Sequence, residues 1–315
     1  GSAAFCDELE RGGNAVEVVV GGPDSPGGLL GVTVGEGSAR TLQGEEPVRF
    51  DGRETFLADH QIDGKPVLPF VMAMETMAGA ARRACPDLRF VGVRDVAVLK
   101  GIVLDEDQGA TLTLRWKPTD PAPGAEVALS FELLGAKNKL GLPTVHYKGT
   151  VDLAPRGPAG ERFPGSNGLG KLAYPYGVEE AYQRFLFHGP GFQGIESIRG
   201  HSDHGIVGTL ASSRPKRLGV DAAAWTTDPV TLDSALQLVG LWVREHRGAS
   251  ALPTYVGRYT QVAPFRGDID VHIQFEPTKT ARGSFSATFV DGGGRVVAKV
   301  DGGQYTAMAG LEERY

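Results

Sequence analysis

Apolar positions recur at helical spacing in two places along the chain and give way to strand-like runs after each. Following Pro69, residues Val71, Met74, Met77, Ala78 and Ala81 share one helical face, and the proline suits a helix start. Asp228-Pro229 reads as an N-cap and first-turn pair, and Leu232, Leu236, Val239 and Val243 continue the pattern behind it. Four strand-like runs follow the first helix, at 90–104, 110–116, 125–134 and 143–153. Four follow the second, at 254–264, 269–276, 283–290 and 296–306, each bounded by turn residues. The pattern predicts two halves with the same order of elements, each a long helix wrapped by its own antiparallel sheet. Alternating β-α-β units are absent, which argues against a doubly wound fold and for a duplicated α+β one. Residues 154–170 are rich in Gly and Pro and read as a linker. The expected division is an N-terminal half over 1–155, a linker over 156–175 and a C-terminal half over 176–315.

Composition narrows the classes. The 315 residues carry 32 basic and 38 acidic side chains, net −6, without a basic cluster, so a nucleic-acid partner is not expected. A local basic patch facing an acidic carrier protein stays open. Cys6 and Cys85 sit in no metal or redox spacing and read as inert thiols in a reducing compartment. The best membrane-span candidate is interrupted by Pro69 and Glu75, so no membrane partner is expected. The opening Gly-Ser-Ala lacks an initiator Met and looks like the scar of a cleaved tag. A cytoplasmic piece of a larger polypeptide is the expectation.

Three fragments carry candidate chemistry: His60-Gln-Ile-Asp-Gly64-Lys-Pro-Val-Leu-Pro69, His188-Gly-Pro-Gly-Phe-Gln-Gly194 and Asp233-Ser-Ala-Leu-Gln237. The first places a histidine on a tight loop at the mouth of an apolar helix. In the third, Asp233 lies inside a helix among Leu232, Ala235, Leu236 and Val239. A carboxylate there needs a partner or a raised pKa, unless it faces solvent. Gln237, one turn on, is placed to hydrogen-bond it. The duplication sets Glu75 at the matching turn of the first helix, while no histidine lies between His204 and His246. The halves thus hold two candidate acids and one candidate base, enough for one composite site. Gly165-Ser-Asn-Gly-Leu-Gly170-Lys171 nearly spells a phosphate loop, but Leu172 replaces the metal-binding hydroxyl and no good strand precedes it. His201 and His204 read as turn histidines in a solvated loop, not as metal ligands.

The three ordered fragments, His60-x-x-x-Gly64-x-x-x-x-Pro69, His188-Gly189-Pro190-Gly-Phe192-Gln-Gly and Asp233-x-x-x-Gln237, resemble the dehydratase domain of type I polyketide and polyunsaturated fatty acid synthases. The resemblance covers nearly the whole chain from about Pro47 to Thr306. It implies a double hotdog fold, each half a long helix wrapped by a sheet, in line with the duplicated pattern. It also implies loss of water from a 3-hydroxyacyl thioester to give a 2-enoyl thioester. His60 would take the α-proton, and Asp233, kept neutral by an apolar pocket, would protonate the departing hydroxyl. Gln237 would orient Asp233, a backbone N–H near the N-terminus of the first helix, with Gly64–Pro69 as the candidate stretch, would polarise the carbonyl, and Gly189, Pro190 and Phe192 would shape one wall. Many polyketide members carry Tyr where His188 stands, and Phe70 follows Pro69 where glycine is common. No metal or organic cofactor is implied. The substrate would arrive on the phosphopantetheine of an acyl carrier protein, with neighbouring synthase domains and a homodimer as further partners. Three alternatives share the fold: a product-template-like cyclase, a double-bond isomerase and a non-catalytic scaffold. The reading expects His60→Ala and Asp233→Asn to abolish turnover and Glu75→Gln to leave most of it.

Overall fold

The computed structural model describes residues 40–51, 54–104, 109–166, 168–212 and 225–308. Cys6 and the opening tripeptide lie outside them. Thirteen strands are described: β1 (Gly44–Phe50), β2 (Gln61–Ile62), β3 (Lys65–Pro66), β4 (Arg89–Val98), β5 (Ala110–Thr119), β6 (Val127–Lys137), β7 (Pro143–Ala154), β8 (Ile195–Ser202), β9 (Gly205–Ala211), β10 (Ser250–Gln261), β11 (Asp268–Phe275), β12 (Arg282–Val290) and β13 (Val296–Met308). The helices are α1 (Thr55–Ala58), α2 (Phe70–Ala84), α3 (Val178–Arg184) and α4 (Pro229–Arg247), with a 3₁₀ turn over Pro190–Phe192.

The two long helices start and stop for legible reasons. α2 begins after Pro69, which stands extended at the N-cap. It ends at Cys85, ahead of Pro86, which cannot extend a helix, and Arg82 and Arg83 sit favourably on its last turn. Asp228 caps α4 by accepting from the Thr231 N–H (3.1 Å), Pro229 opens the first turn, and Gly248 closes it in the left-handed region (φ 62°). Both helices are buried over most of their circumference and pack against one another. One-sided amphipathicity suits a surface helix; burial this complete marks the core.

The eight runs expected as strands all appear, but the two sheets are not separate. Eleven strands form one antiparallel sheet in the order β1-β5-β6-β7-β4-β10-β13-β12-β11-β9-β8. Each half repeats the order of the other outward from a central seam, where β4 pairs with β10 from Gly92↔Thr260 to Ala97↔Tyr255. Gly92 is required there, because a Cβ would stand 2.0 Å from the Tyr259 carbonyl oxygen. Each long helix packs on the strands of its own half, as expected, and the two wrapped halves share one sheet: pairing the two inner edges removes both as exposed edges. Between the halves, Arg162 and Leu172 form isolated bridges to Arg295 and His201 of the second half. Lys171 and Leu172 follow a turn and open no helix, Leu172 instead bridging His201, so the described part of the glycine-rich run has no phosphate-loop geometry. His201 is corrected too: it is buried in β8, and its Nδ1 lies 3.0 Å from His246 Nε2, while His204 sits in the exposed turn.

Candidate active site

His60 is placed by a short hairpin. Asp63 (φ 54°) and Gly64 (φ 66°) occupy the two-residue turn joining β2 to β3, a conformation that glycine takes without strain. The return strand brings Val67 back, and its N–H donates to the His60 carbonyl (3.0 Å). The His60 ring answers with an Nδ1–H donated to the Val67 carbonyl at 2.8 Å. A carbonyl only accepts, so Nδ1 holds the proton and Nε2 carries the lone pair. The expected oxyanion donor near the N-terminus of the first helix narrows toward its first turn. The Val67 and Leu68 amides are spent on His60 and Ile102, and Pro66 and Pro69 have none. The Phe70 and Val71 amides, in the first turn of α2, have no carbonyl to reach within the helix.

A second loop is sewn to the residue before His60. The Gly189 N–H donates to the Asp59 carbonyl (2.8 Å) and the Gly191 N–H to the Asp59 carboxylate (2.7 Å). A Cβ on Gly189 would stand 2.3 Å from that carboxylate, which is why the motif carries glycine there. The stitch pairs His60 with His188 as an isolated antiparallel bridge. Pro190 opens the 3₁₀ turn and buries Phe192, whose ring lies 5.7 Å from that of His60. From the opposite side α4 delivers Asp233, with Oδ2 3.2 Å from His188 Nε2. Gln237 donates to the same oxygen (2.8 Å) and to the Phe192 carbonyl (2.9 Å), while accepting from Tyr182 on α3 (2.8 Å). The structure thus gathers every residue singled out from the motifs into one neighbourhood. Gly64 and Pro69 act through the backbone, one turning the hairpin and the other opening α2. Sequence reasoning misses Asp59 and Tyr182: nothing distinguishes Tyr182 in sequence, and only adjacency to His60 marks Asp59.

His60, His188 and Asp233 are all buried, and their ligand-type atoms lie within 4.8 Å of one another, so these three are the groups able to hold a metal among the described residues. Burial, reinforced by His188, lowers the His60 pKa to about 4, with Asp233 pulling weakly the other way. His60 is a neutral base at neutral pH. For Asp233, burial alone pushes upward, but His188, His60 and the Gln237 amide outweigh it and hold the carboxyl below its ordinary value. This corrects the expectation of an apolar pocket that keeps the acid protonated. The walls are greasy, but the carboxyl itself is met by three polar neighbours.

The matching acid of the first half has other work. Glu75 is buried and accepts from the Thr226 N–H (2.7 Å), the Thr227 N–H (2.7 Å) and the Thr227 hydroxyl (2.6 Å). Each helix acid therefore faces the segment that leads into the other helix: Asp233 meets the His60 loop, and Glu75 meets the residues ahead of α4. Burial, resisted by those donors, raises the Glu75 pKa to about 7.

A pocket opens over His60 and Asp233. Val67, Leu68, Phe70 and Val98 line its apolar part, and Leu236, Gly240 and Arg244 continue it along α4. This mostly apolar lining, with polar groups gathered at one end, suits an apolar chain with a polar head. A buried neutral imidazole and a buried carboxyl on opposite walls of such a cavity, in a duplicated helix-and-sheet fold, define an acid–base enzyme of the double hotdog class.

A family model described as "Polyketide synthase dehydratase domain" matches residues 30–133, and one described as "Polyketide synthase dehydratase N-terminal domain" matches residues 170–314. The chain belongs to the polyketide synthase dehydratase family. One of the polyunsaturated fatty acid synthase proteins of Thraustochytrium sp. is 26% identical over 226 residues, covering 69% of this chain and 8% of that protein. Polyketide synthase ThaG from Burkholderia thailandensis is 29% identical over 210 residues, 62% of this chain and 3% of that protein. The chain therefore corresponds to a small part of these much longer synthases. Among solved structures, the dehydratase domain from the CurF module of curacin polyketide synthase superposes with a TM-score of 0.72 at 19% identity, over 89% of this chain and 99% of that one. That likeness shows the double hotdog fold. Among the described residues no helix is long and apolar enough to cross a membrane.

Proposed function

We propose that this chain dehydrates a 3-hydroxyacyl thioester, presented on the phosphopantetheine arm of an acyl carrier protein, to the 2-enoyl thioester within a cytoplasmic multidomain synthase. The observation that carries the reading is the neutral His60 imidazole with its Nε2 lone pair available, buried within reach of Asp233. His60 Nε2 takes the α-proton, and the C–H electron pair moves into the thioester carbonyl. The first-turn amides of α2 stabilise the resulting enolate oxygen. As the carbonyl re-forms, the Cβ–O bond breaks and the hydroxyl leaves as water with the Asp233 proton. His60 then returns its proton to Asp233, closing the cycle. The His188 and Gln237 contacts of Asp233 both fall on Oδ2, which leaves Oδ1 for the substrate hydroxyl. Because its neighbours hold the carboxyl of the free site below its ordinary range, Asp233 has to take up a proton as substrate binds, and the acyl chain, by excluding water, adds to the burial that favours that uptake. Two solved variants of the CurK dehydratase, one with a histidine replaced by phenylalanine and one with an aspartate replaced by asparagine, are described as inactive. The reading needs no metal or organic cofactor. Neighbouring synthase domains and a second copy of the chain complete the proposed partners.

The test is mass spectrometry of a carrier-bound 3-hydroxyacyl thioester incubated with the domain. Loss of one water that disappears in His60→Ala and Asp233→Asn, with both variants still folded by circular dichroism, is the expected result. No water loss across several chain lengths in a folded wild-type protein overturns the reading.

A further inference from the structure

We propose that His60, His188 and Asp233 form a binding site for Zn²⁺, and that a bound ion takes the base out of service and stops turnover. The site stands on geometry; its inhibitory effect rests on the dehydratase reading.

Three buried side chains bring their ligating atoms within 4.8 Å of one another, and His188 Nε2 stands 3.2 Å from Asp233 Oδ2. Zinc bonds of about 2.0–2.1 Å in a tetrahedron set neighbouring ligands about 3.3 Å apart. One pair is therefore already at ligand spacing, and the His60 nitrogen has at most about 1.5 Å to close. Two imidazoles and a carboxylate suit zinc, cobalt or nickel; magnesium and calcium want oxygen throughout. Three protein ligands leave a fourth position, which opens on the pocket. With tyrosine at position 188, as many polyketide members have it, one imidazole of the set would be gone. Zinc sensitivity is thus expected of chains with histidine before Gly-Pro.

The surroundings support the ligands. His60 Nδ1–H is held by the Val67 carbonyl at 2.8 Å, which aims the Nε2 lone pair as a ligating imidazole requires. Gln237 donates to Asp233 Oδ2 at 2.8 Å and leaves lone pairs on both carboxylate oxygens. Phe187 stacks on the His188 ring (centroids 4.1 Å) and limits its swing. Arg244 is the one Lys or Arg among the described lining residues, and eleven residues along α4 put it about 16 Å away along the axis. His188 Nδ1 works against the metal. It is buried without a hydrogen-bond partner, and it must carry the ring proton once Nε2 is a ligand. One buried unsatisfied N–H costs about ten- to a hundredfold in affinity, so a Kd of about 1 μM is expected rather than the far tighter values of structural zinc sites. The bound ion uses the same Nε2 lone pair of His60 that takes the α-proton, so proton abstraction stops without any change in substrate.

The experiment titrates chelator-treated protein with Zn²⁺ by calorimetry, and follows dehydration of a carrier-bound 3-hydroxyacyl thioester at free zinc fixed by a metal buffer. Wild type is expected to bind one Zn²⁺, to lose turnover at least about tenfold as the site fills, and to regain it with EDTA. His188→Phe and Asp233→Asn should each weaken binding at least about a hundredfold, since losing a ligand costs more than losing a group that supports one. His201→Gln breaks the other close histidine pair, His201 and His246 (3.0 Å), and is expected to bind zinc and be inhibited as wild type is. The proposal is overturned by the absence of binding at about 100 μM Zn²⁺. Binding that His201→Gln abolishes and His188→Phe retains overturns it too, as does full turnover with the site filled. If His188→Phe does not fold, Asp233→Asn decides by the same titration. A wild-type protein that binds zinc through these ligands yet dehydrates nothing in its absence keeps the metal site and defeats the dehydratase reading instead.

Discussion

Removing the Glu75 carboxylate separates the two acids that the duplication places in register. Glu75→Ala takes the acceptor from two backbone N–H groups and one hydroxyl, all buried. The hydroxyl can rotate to another partner, but the Thr226 and Thr227 amides cannot. Two buried unsatisfied amides at about 1–3 kcal/mol each give a loss of about 4 kcal/mol. For a chain of this length that corresponds to a fall in Tm of about 8 °C. Glu75→Gln keeps one carbonyl oxygen for the Thr226 N–H and presents an N–H₂ to Thr227, so about half of the loss is expected. Differential scanning calorimetry reads the series. Turnover at 20 °C, well below either transition, should stay within about threefold of wild type, because Glu75 holds the approach to α4 and does not line the cavity. An unchanged Tm in Glu75→Ala would refute the pinning argument. Abolished turnover at an unchanged Tm in Glu75→Gln would show that the wrong acid has been assigned to the chemistry.

Three further outcomes follow from the same geometry. Gly92→Ala drives a methyl into the Tyr259 carbonyl, and backbone cannot yield as a side chain does, so a loss of about 3 kcal/mol in urea unfolding is expected; wild-type stability would mean the seam is loose. Gly240 lines the cavity, and its Cβ would meet only the Ala251 carbonyl at 3.9 Å, so Gly240→Leu should fold normally and project into the channel. It is expected to cut kcat/KM for long 3-hydroxyacyl thioesters at least about tenfold more than for the shortest one, and equal losses would show that Gly240 does not bound the acyl chain. His60 titrates at about 4 folded against 6.5 in the open chain, so its contribution is fully present above pH 6.5 and is lost as pH falls toward 4. The stability difference between wild type and His60→Gln should therefore shrink by on the order of 3 kcal/mol over that range, and a pH-independent difference would contradict the burial of a neutral imidazole.

The elements that sequence reveals here are those whose residues face one environment throughout. α2 and α4 carry uninterrupted apolar faces and proline starts, and β11 and β12 alternate cleanly between buried and less buried positions. β8 is hidden because register shifts at Ile195/Ser197 and Ile198/Gly200 break its alternation, and β9 because it is buried on nearly every residue. His201 reads as a solvated turn residue for the same reason. Within the site, His60, Asp233 and Gln237 are legible from spacing. The direction of the Asp233 pKa is not, since it depends on a His188 contact spanning 45 positions of sequence. Nor is Asp59, whose partners in the 188–192 loop lie more than a hundred residues away.

The seam between β4 and β10 has a consequence for how the chain is made. β4 ends at Val98 and its partner begins at Ser250, so about 150 residues separate their emergence from a ribosome. At translation rates of about 5–20 residues per second, the inner edge of the first half waits roughly 8–30 s for its mate. β4 is built for that wait. Arg89, Arg94 and Asp95 place charges along it, Asp95 bends the backbone into the left-handed region (φ 55°), and the register against β7 slips between Arg94 and Ala97. Charges and a bulge are what deter a stray strand from docking on an open edge. Once β10 arrives, the same Asp95 accepts a hydrogen bond from the Tyr255 hydroxyl at 2.6 Å, so a residue that guards the nascent edge becomes a clasp on the finished one.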